Sequence, residues 1–280
     1  MPRIHPSAVV EPSVELSDDV QIGPGCVVTG AVKLGSGVRL IGHATICGEL
    51  GPVEVGAGTT VYPGACVGFG GQDAKFKPGM ASAGVRIGAG VTLRESATVH
   101  AATKPDRPTT VGDRVYMMVS SHVGHDATVE NDVTMVNAVA LGGHAHVAER
   151  AILGGSVVVH QFGRVGRMAF ISGGSAFSSD VPPFCVGAGR NNLTGVNLVG
   201  LRRAGVPREH ITLVRQAFRD VFRRNLMKSE ALARLAELGV QCPLVLEMRD
   251  FVATGKRTIA PYRNLGRASG VAAPAEAAEV

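Results

Sequence analysis

The sequence predicts a mainly β protein: a parallel β-helix of hexapeptide repeats, followed by a C-terminal all-α domain. Three observations carry this reading. From Val111 to Phe177 an apolar residue leads every hexad, through VGDRVY, MMVSSH, VGHDAT, VENDVT, MVNAVA, LGGHAH, VAERAI, LGGSVV, VHQFGR, VGRMAF, ISGGSA and FSSDVP. Aromatic residues make up only 4% of the chain and Trp is absent, which suits a core too thin for large rings. After Pro182 and Pro183 the apolar spacing becomes helical. A period of six fits neither a helix nor an alternating strand; it marks a solenoid that turns a corner at each repeat.

The repeat begins at Ile4 with IHPSAV, VEPSVE, LSDDVQ, IGPGCV, VTGAVK, LGSGVR, LIGHAT and ICGELG. It slips, then resumes as VGAGTT and VYPGAC from Val55 and as IGAGVT and LRESAT from Ile87. The leading residue must be aliphatic because it points into a narrow prism. Corners need backbone freedom, hence the Gly, Asn, Asp and Pro near them, with Pro6, Pro12, Pro24 and Pro63 each third in its hexad. A three-sided coil of such hexads takes 18 residues, and coils stack at about 4.8 Å. Two stretches interrupt the pattern, one near 68–84 and one at 100–110, and long loops in a tight solenoid are candidates for function. The first carries Gln72, Asp73, Lys75 and Lys77 on a Gly-rich frame.

Helical spacing is expected from Asn191 through LTGVNLVGLRRAGV, then after Pro207, over SEALARLAELG with Ser229 as cap and Gly239 as stop, and over PLVLEMRDFVAT. The division is therefore 1–190 for the β-helix, 191–262 for a helical domain closing one end, and 263–280 for a disordered tail rich in Ala, Gly and Glu. Five scattered cysteines without CxxC spacing suit a reducing cytoplasm and argue against a disulfide framework or a zinc cluster. The repeat starts at once, which leaves no room for a signal peptide, and no apolar run is long enough for a membrane span. A net charge of +5 suggests an acidic partner. Nucleic acid is disfavoured, because aromatic stacking platforms are missing.

The 18-residue turn places side chains. The hexads VGHDAT, LGGHAH and VHQFGR fall on one side in successive coils, so His125, His144 and His160 share a strip. Asp126 stacks on His144, the Gly143 backbone lies over His125, and Gln161 is one coil further. A histidine held by a neighbouring carboxylate is a better proton acceptor, and a Gly143 N–H with no side chain in the way is a candidate oxyanion donor. A second column, Val119, Asn137, Gly155 and Gly173, leaves a shallow trough suited to an extended acyl chain.

These segments resemble the UDP-N-acetylglucosamine O-acyltransferases that begin lipid A synthesis. The match runs through IHPSAVVEP, IGPGCVV, GGQDAKF, LRESATVH, SSHVGHDATV, LGGHAHV, VVVHQFGRVG, SSDVPPF and GVNLVGLRR, over roughly residues 3 to 262. The resemblance implies a left-handed β-helix, a homotrimer with sites between subunits, and transfer of a 3-hydroxyacyl chain from acyl carrier protein to the sugar 3-OH without metal or cofactor. It implies that His125 is the general base, Asp126 its orienting partner and the Gly143 amide the oxyanion donor. His122, His144, His160 and Gln161 would line the site, and Gln72, Asp73 and Lys75 of QDAKF would meet the sugar nucleotide. Asn197 and Arg203 would serve the nucleotide or carrier end, and Gly173 falls where acyl length is set. Arg202, Arg203, Arg208, Arg215, Arg219, Arg223 and Arg224 form a basic region suited to an acidic carrier protein.

The chain departs from that family at the 100–110 loop, which replaces RGT and a Gly-rich stretch, and at Phe76, Val199 and Ala204. All of these lie where acceptor or carrier is held, so a 3-amino UDP sugar or an acyl-CoA donor is the alternative. A non-acyltransferase reading, a zinc-binding trimer or a silent scaffold, would need three histidines converging on one point.

Overall fold

The computed structural model describes residues 1–77 and 79–264, and the expected disordered tail falls largely outside the described residues. The chain is a left-handed parallel β-helix with a helical C-terminal region. Most strands are only two residues long, one per hexad, separated by turns. They pair in parallel with the strand one coil away, as in His122↔Ala140, Thr128↔His146 and Thr134↔Ile152, which is the 18-residue turn. One face of the prism is an 11-stranded sheet. The other two faces form one 15-stranded sheet, because Val27–Leu34 and Thr45–Val55 run through a corner as continuous strands. The register slip read in the sequence lies there, with a shift between Gly30 and Val32.

The leading residues fill the prism: Val111, Met117, Val123, Val129, Met135, Leu141, Val147 and Leu153 are all fully buried. The fifth residue of each hexad also points inward, as Val133, Val139, Ala145 and Ala151, and is small because two side chains share each side of a narrow core. The corners show what the stacking costs. From Arg114 to Met168 the fourth residue of every hexad has a left-handed backbone, with φ between 54° and 62°, and none of them is glycine. A non-glycine residue there costs on the order of 1–2 kcal/mol. Each corner is held by an axial hydrogen bond to the coil below, such as Ala138 N–H to Val119 O at 2.9 Å. Pro24 and Pro63 precede Gly25 and Gly64, whose φ values are 64° and 76°, the Pro-Gly order that a type II turn favours.

The helical spacing expected from Asn191 begins later. Asn192–Val196 is a strand, antiparallel to Cys185–Ala188, because the last coil needs an edge to end on before any helix can start. The helices are α1 (Leu198–Arg203), α2 (Arg208–Ala217), α3 (Lys228–Gly239) and α4 (Pro243–Thr254), with a π-helix at Phe218–Phe222. Ser229 does not cap α3: Met227 is the N-cap, and Glu230 reaches back to its N–H. Buried Asp180 anchors this region by binding Arg164 at 2.7 Å, and Arg164 also donates to Phe251 O of α4 at 2.8 Å. Among the described residues no helix is long and apolar enough to cross a membrane.

Candidate active site

Backbone hydrogen bonds between coils set the site. His144 N–H donates to His125 O, and Phe162 N–H to Gly143 O, each at 2.9 Å. Gly143 therefore lies directly over the His125 ring. A Cβ built on Gly143 would come within 2.5 Å of both Cε1 and Nε2 of His125, so only glycine fits. The Gly143 N–H has no partner among the described residues. A bare amide donor thus stands beside the outer edge of an imidazole.

His125 Nδ1 lies 2.7 Å from Asp126 Oδ2, and their side chains are only 11% and 7% exposed. The ionised carboxylate accepts the Nδ1–H, which leaves Nε2 with a lone pair. Burial alone would raise the Asp126 carboxyl, but hydrogen bonds from His125 and Thr103 and the nearby His144 outweigh it and hold it below the usual range. His144 Nε2 lies 3.6 Å from the same carboxylate oxygen, and its ring stacks on Phe162 at 4.4 Å. Phe162 itself sits at a left-handed corner, φ 62°, so backbone strain there sets the plate on which His144 rests.

The 100–110 loop, a long interruption that the sequence marks as a candidate for function, closes over this pair. Thr103 Oγ1 donates to Asp126 Oδ2 at 2.7 Å, and Thr103 N–H to Oδ1 at 3.1 Å. Asp126 N–H donates to Thr109 Oγ1 at 2.8 Å, and Arg107 reaches Asp126 O at 3.3 Å. His100 was likewise not singled out, although Thr98 pairs with His122 one coil on and His100 follows two residues later. Its ring meets His122 edge-on at 5.0 Å, and His122 Nδ1 lies 2.7 Å from Thr98 Oγ1. Burial, then His100 and His125, push His122 down to about 4. Burial also lowers His100 and His144.

The 68–84 loop packs against the same centre: a Cβ on Gly71 would come 2.6 Å from Thr103 Cγ2 and 2.8 Å from His125 Cβ. Asp73 accepts from the Lys75 N–H at 2.9 Å and so shapes its own turn, while Gln72 and Lys75 are exposed. Gly155 and Gly173 stack at the neighbouring corner, a Cβ on Gly173 coming 3.2 Å from Gly155 O. Between the two corners lies the face that carries His122, Ala140, Val158 and Ala176 outward, with Val158 48% exposed. Beyond it a cavity of ≈ 190 Å³ is lined by Val158, His160, Ala176, Phe177, Ser178, Arg190 and Asn191. His160 Nδ1 lies 3.1 Å from Gln161 O and 3.3 Å from Arg257, which the C-terminal strap supplies. The structure thus gathers His122, His125, Asp126, Gly143 and His144 at one corner, with Gln72–Lys75 beside it and His160 and Gln161 one coil on.

Asn197 and Arg203 belong to the helical end. Asn197 caps α1 by accepting from Gly200 N–H at 2.9 Å and donates to Met168 O at 2.9 Å, so both ends of its amide are engaged. Arg203 is exposed in the last turn of α1. Among the described residues the nearest approach to a metal-ligand set joins His125, Asp126 and His144, with donor atoms within 4.8 Å of one another. It holds two histidines and a carboxylate that are already paired, rather than three converging histidines.

Two outcomes follow from this geometry. Gly143→Ala should displace the His125 ring and lower kcat by about a hundredfold in a folded protein, the scale of a misplacement near 1 Å; steady-state kinetics with circular dichroism checks it. Because His122 titrates at about 4 in the fold and at 6.5 ordinarily, the unfolded chain binds the extra proton between these values. Stability is full above pH 6.5 and falls toward about 4, and His122→Gln should flatten that slope in urea midpoints measured against pH.

Comparison with known proteins fits this geometry. Residues 180–260 match the family model described as Udp N-acetylglucosamine O-acyltransferase, Domain 2. The acyl-[acyl-carrier-protein]–UDP-N-acetylglucosamine O-acyltransferase of Thermodesulfovibrio yellowstonii is 38% identical over 92% of this chain and 99% of its own length. That of Rhizobium johnstonii is 40% identical over 90% of this chain and 91% of its own. The solved structure of the Francisella novicida UDP-N-acetylglucosamine acyltransferase superposes with a TM-score of 0.88 at 32% identity, covering 93% of this chain and 95% of that one. At 38–40% identity over nine-tenths or more of both chains, this chain belongs to the acyl-[acyl-carrier-protein]–UDP-N-acetylglucosamine O-acyltransferase family.

Proposed function

We propose that this chain transfers a 3-hydroxyacyl group from acyl carrier protein to the 3-OH of UDP-N-acetylglucosamine, the first step of lipid A synthesis. One observation carries the mechanism: His125 Nδ1 is held by Asp126 at 2.7 Å while Nε2 lies against Gly143, whose N–H is unpaired among the described residues. Nε2 takes the proton from the sugar hydroxyl as its oxygen attacks the thioester carbonyl. The Gly143 N–H stabilises the oxyanion of the tetrahedral intermediate. Collapse breaks the C–S bond, and the departing thiolate takes the proton back from His125. Asp126 holds the tautomer throughout and stabilises the imidazolium.

The remaining assignments follow position. Gln72, Asp73 and Lys75 meet the sugar nucleotide from the loop that packs on His125. His122, His144, His160 and Gln161 line the path, and the acyl chain lies along the Gly155–Gly173 trough. Arg203 and the basic helices meet the nucleotide or the acidic carrier, and Asn197 acts through its hold on α1. The half-exposed apolar face between the two corners suits contact with a second copy, as in a homotrimer, and the enzyme works in the cytoplasm. Val199, 40% exposed on α1 where the family has an acid, favours a second acceptor, a 3-amino UDP sugar acylated on nitrogen.

The test is mass spectrometry of products formed from UDP-N-acetylglucosamine and 3-hydroxyacyl carrier proteins of several lengths. The expected product is the O-acylated UDP sugar, and His125→Ala should lower its rate by about a hundredfold or more. Near-normal turnover in that variant would contradict the mechanism. A product only with the amino sugar, or only with acyl-CoA, would overturn the acceptor or the donor.

A further inference from the structure

We propose that Thr103 is a positioning residue for acyl transfer: from the 100–110 loop it holds the Asp126 carboxylate in the rotation that orients His125. The proposal rests on the reading of His125 as base. Asp126 Oδ2 accepts from His125 Nδ1–H and the Thr103 hydroxyl, both at 2.7 Å, and more weakly from the Thr103 N–H at 3.3 Å. Oδ1 accepts from the Thr103 N–H at 3.1 Å. One residue thus binds both carboxylate oxygens, which fixes the plane of the group and leaves it one way to face the imidazole. A carboxylate whose side chain is only 7% exposed needs such donors, because nothing from solvent replaces them.

Position extends the argument. Thr103 belongs to the coil below His125, on the side away from Gly143. Its methyl group faces Gly71 of the neighbouring loop, where an added Cβ would come 2.6 Å away. Gly71 also abuts His125 Cβ. Thr103 therefore ties the loop that carries Gln72, Asp73 and Lys75 to the pair that removes the proton. The 100–110 loop thus completes the base, and its Thr103 is the point of contact.

Removing the hydroxyl has two readable effects. The carboxylate loses its fixed plane, so kcat falls. Oδ2 loses its short hydroxyl donor and keeps His125 Nδ1–H and the longer Thr103 N–H at 3.3 Å, so its hold on the imidazolium strengthens and the acid limb of the rate moves to higher pH. The other charged or titratable groups nearby stay in place: His144 at 3.6 Å from Oδ2, Arg107 on the Asp126 carbonyl, Lys104 acting on His144, and His100 and His122, on both of which His125 acts.

The experiment measures kcat, both KM values and the pH profile for Thr103→Val, Thr103→Ser and His125→Ala in the full chain. Thr103→Val should lower kcat by about tenfold with little change in either KM, the scale of one lost hydrogen bond to a charged group. Its acid limb should shift upward, which a merely structural role would not produce, and Thr103→Ser should restore both. If the valine variant does not fold, Thr103→Ala carries the same comparison. A wild-type kcat and pH profile in Thr103→Val, or a serine variant as impaired as the valine one, would overturn the proposal. Turnover in His125→Ala would instead overturn the base itself.

Discussion

The axial hydrogen bond between corners is the interaction on which this molecule depends. Most corner N–H groups reach a carbonyl of the coil below, as His144 does to His125 at 2.9 Å, and the rest reach a side-chain oxygen there, as Asp126 does to Thr109; this fixes the turn at 18 residues. Shift that register by one and the aliphatic residues leave the prism while the polar ones enter it. The same register puts Gly143 over His125 and His144 over Asp126. Core and site are thus two readings of one repeat: the inward positions fill with Val, Leu and Met, and the outward ones are free to carry chemistry.

That arrangement explains why the site stands on a corner. The strands are too short to orient a group by themselves, whereas the turns are clamped above and below. The left-handed backbone at Asp126, His144 and Phe162 is strained for non-glycine residues, yet many stacked corners share the load. In return each side chain leaves the prism in a fixed direction. His125 gains a carboxylate from the next residue and an amide from the next coil without any movement. Preorganised donors of this kind act where charge develops, and they cost no rearrangement at the moment of reaction.

Much of this was legible in the sequence because the period is rigid. Once the hexads from Val111 were aligned, adding 18 placed Asp126 on His144 and His125 under Gly143, as the hydrogen bonds and the Gly143 contacts bear out. Family resemblance supplied the reaction and the handedness, neither of which spacing alone carries. The parts that escaped lie where the period fails. Thr103, Arg107 and Thr109 sit in an interruption, and no register says where a loop returns. The strand at Asn192–Val196 escapes because the i, i+3 spacing of Leu193 and Val196 matches a helix rather than strand alternation. Met227 replaced Ser229 as the α3 cap because Glu230 supplies the capping bond from inside the helix.

The central claim is that the corner register leaves His125 with a proton on Nδ1 and a bare Nε2 beside the Gly143 amide. The most direct measurement is nitrogen NMR of the protein labelled in histidine, with His125 assigned by substitution. At neutral pH the account predicts a protonated Nδ1 with a downfield proton shared with Asp126, and an Nε2 shift typical of an unprotonated nitrogen. An Nε2-protonated ring, or one averaging freely between tautomers, would contradict it.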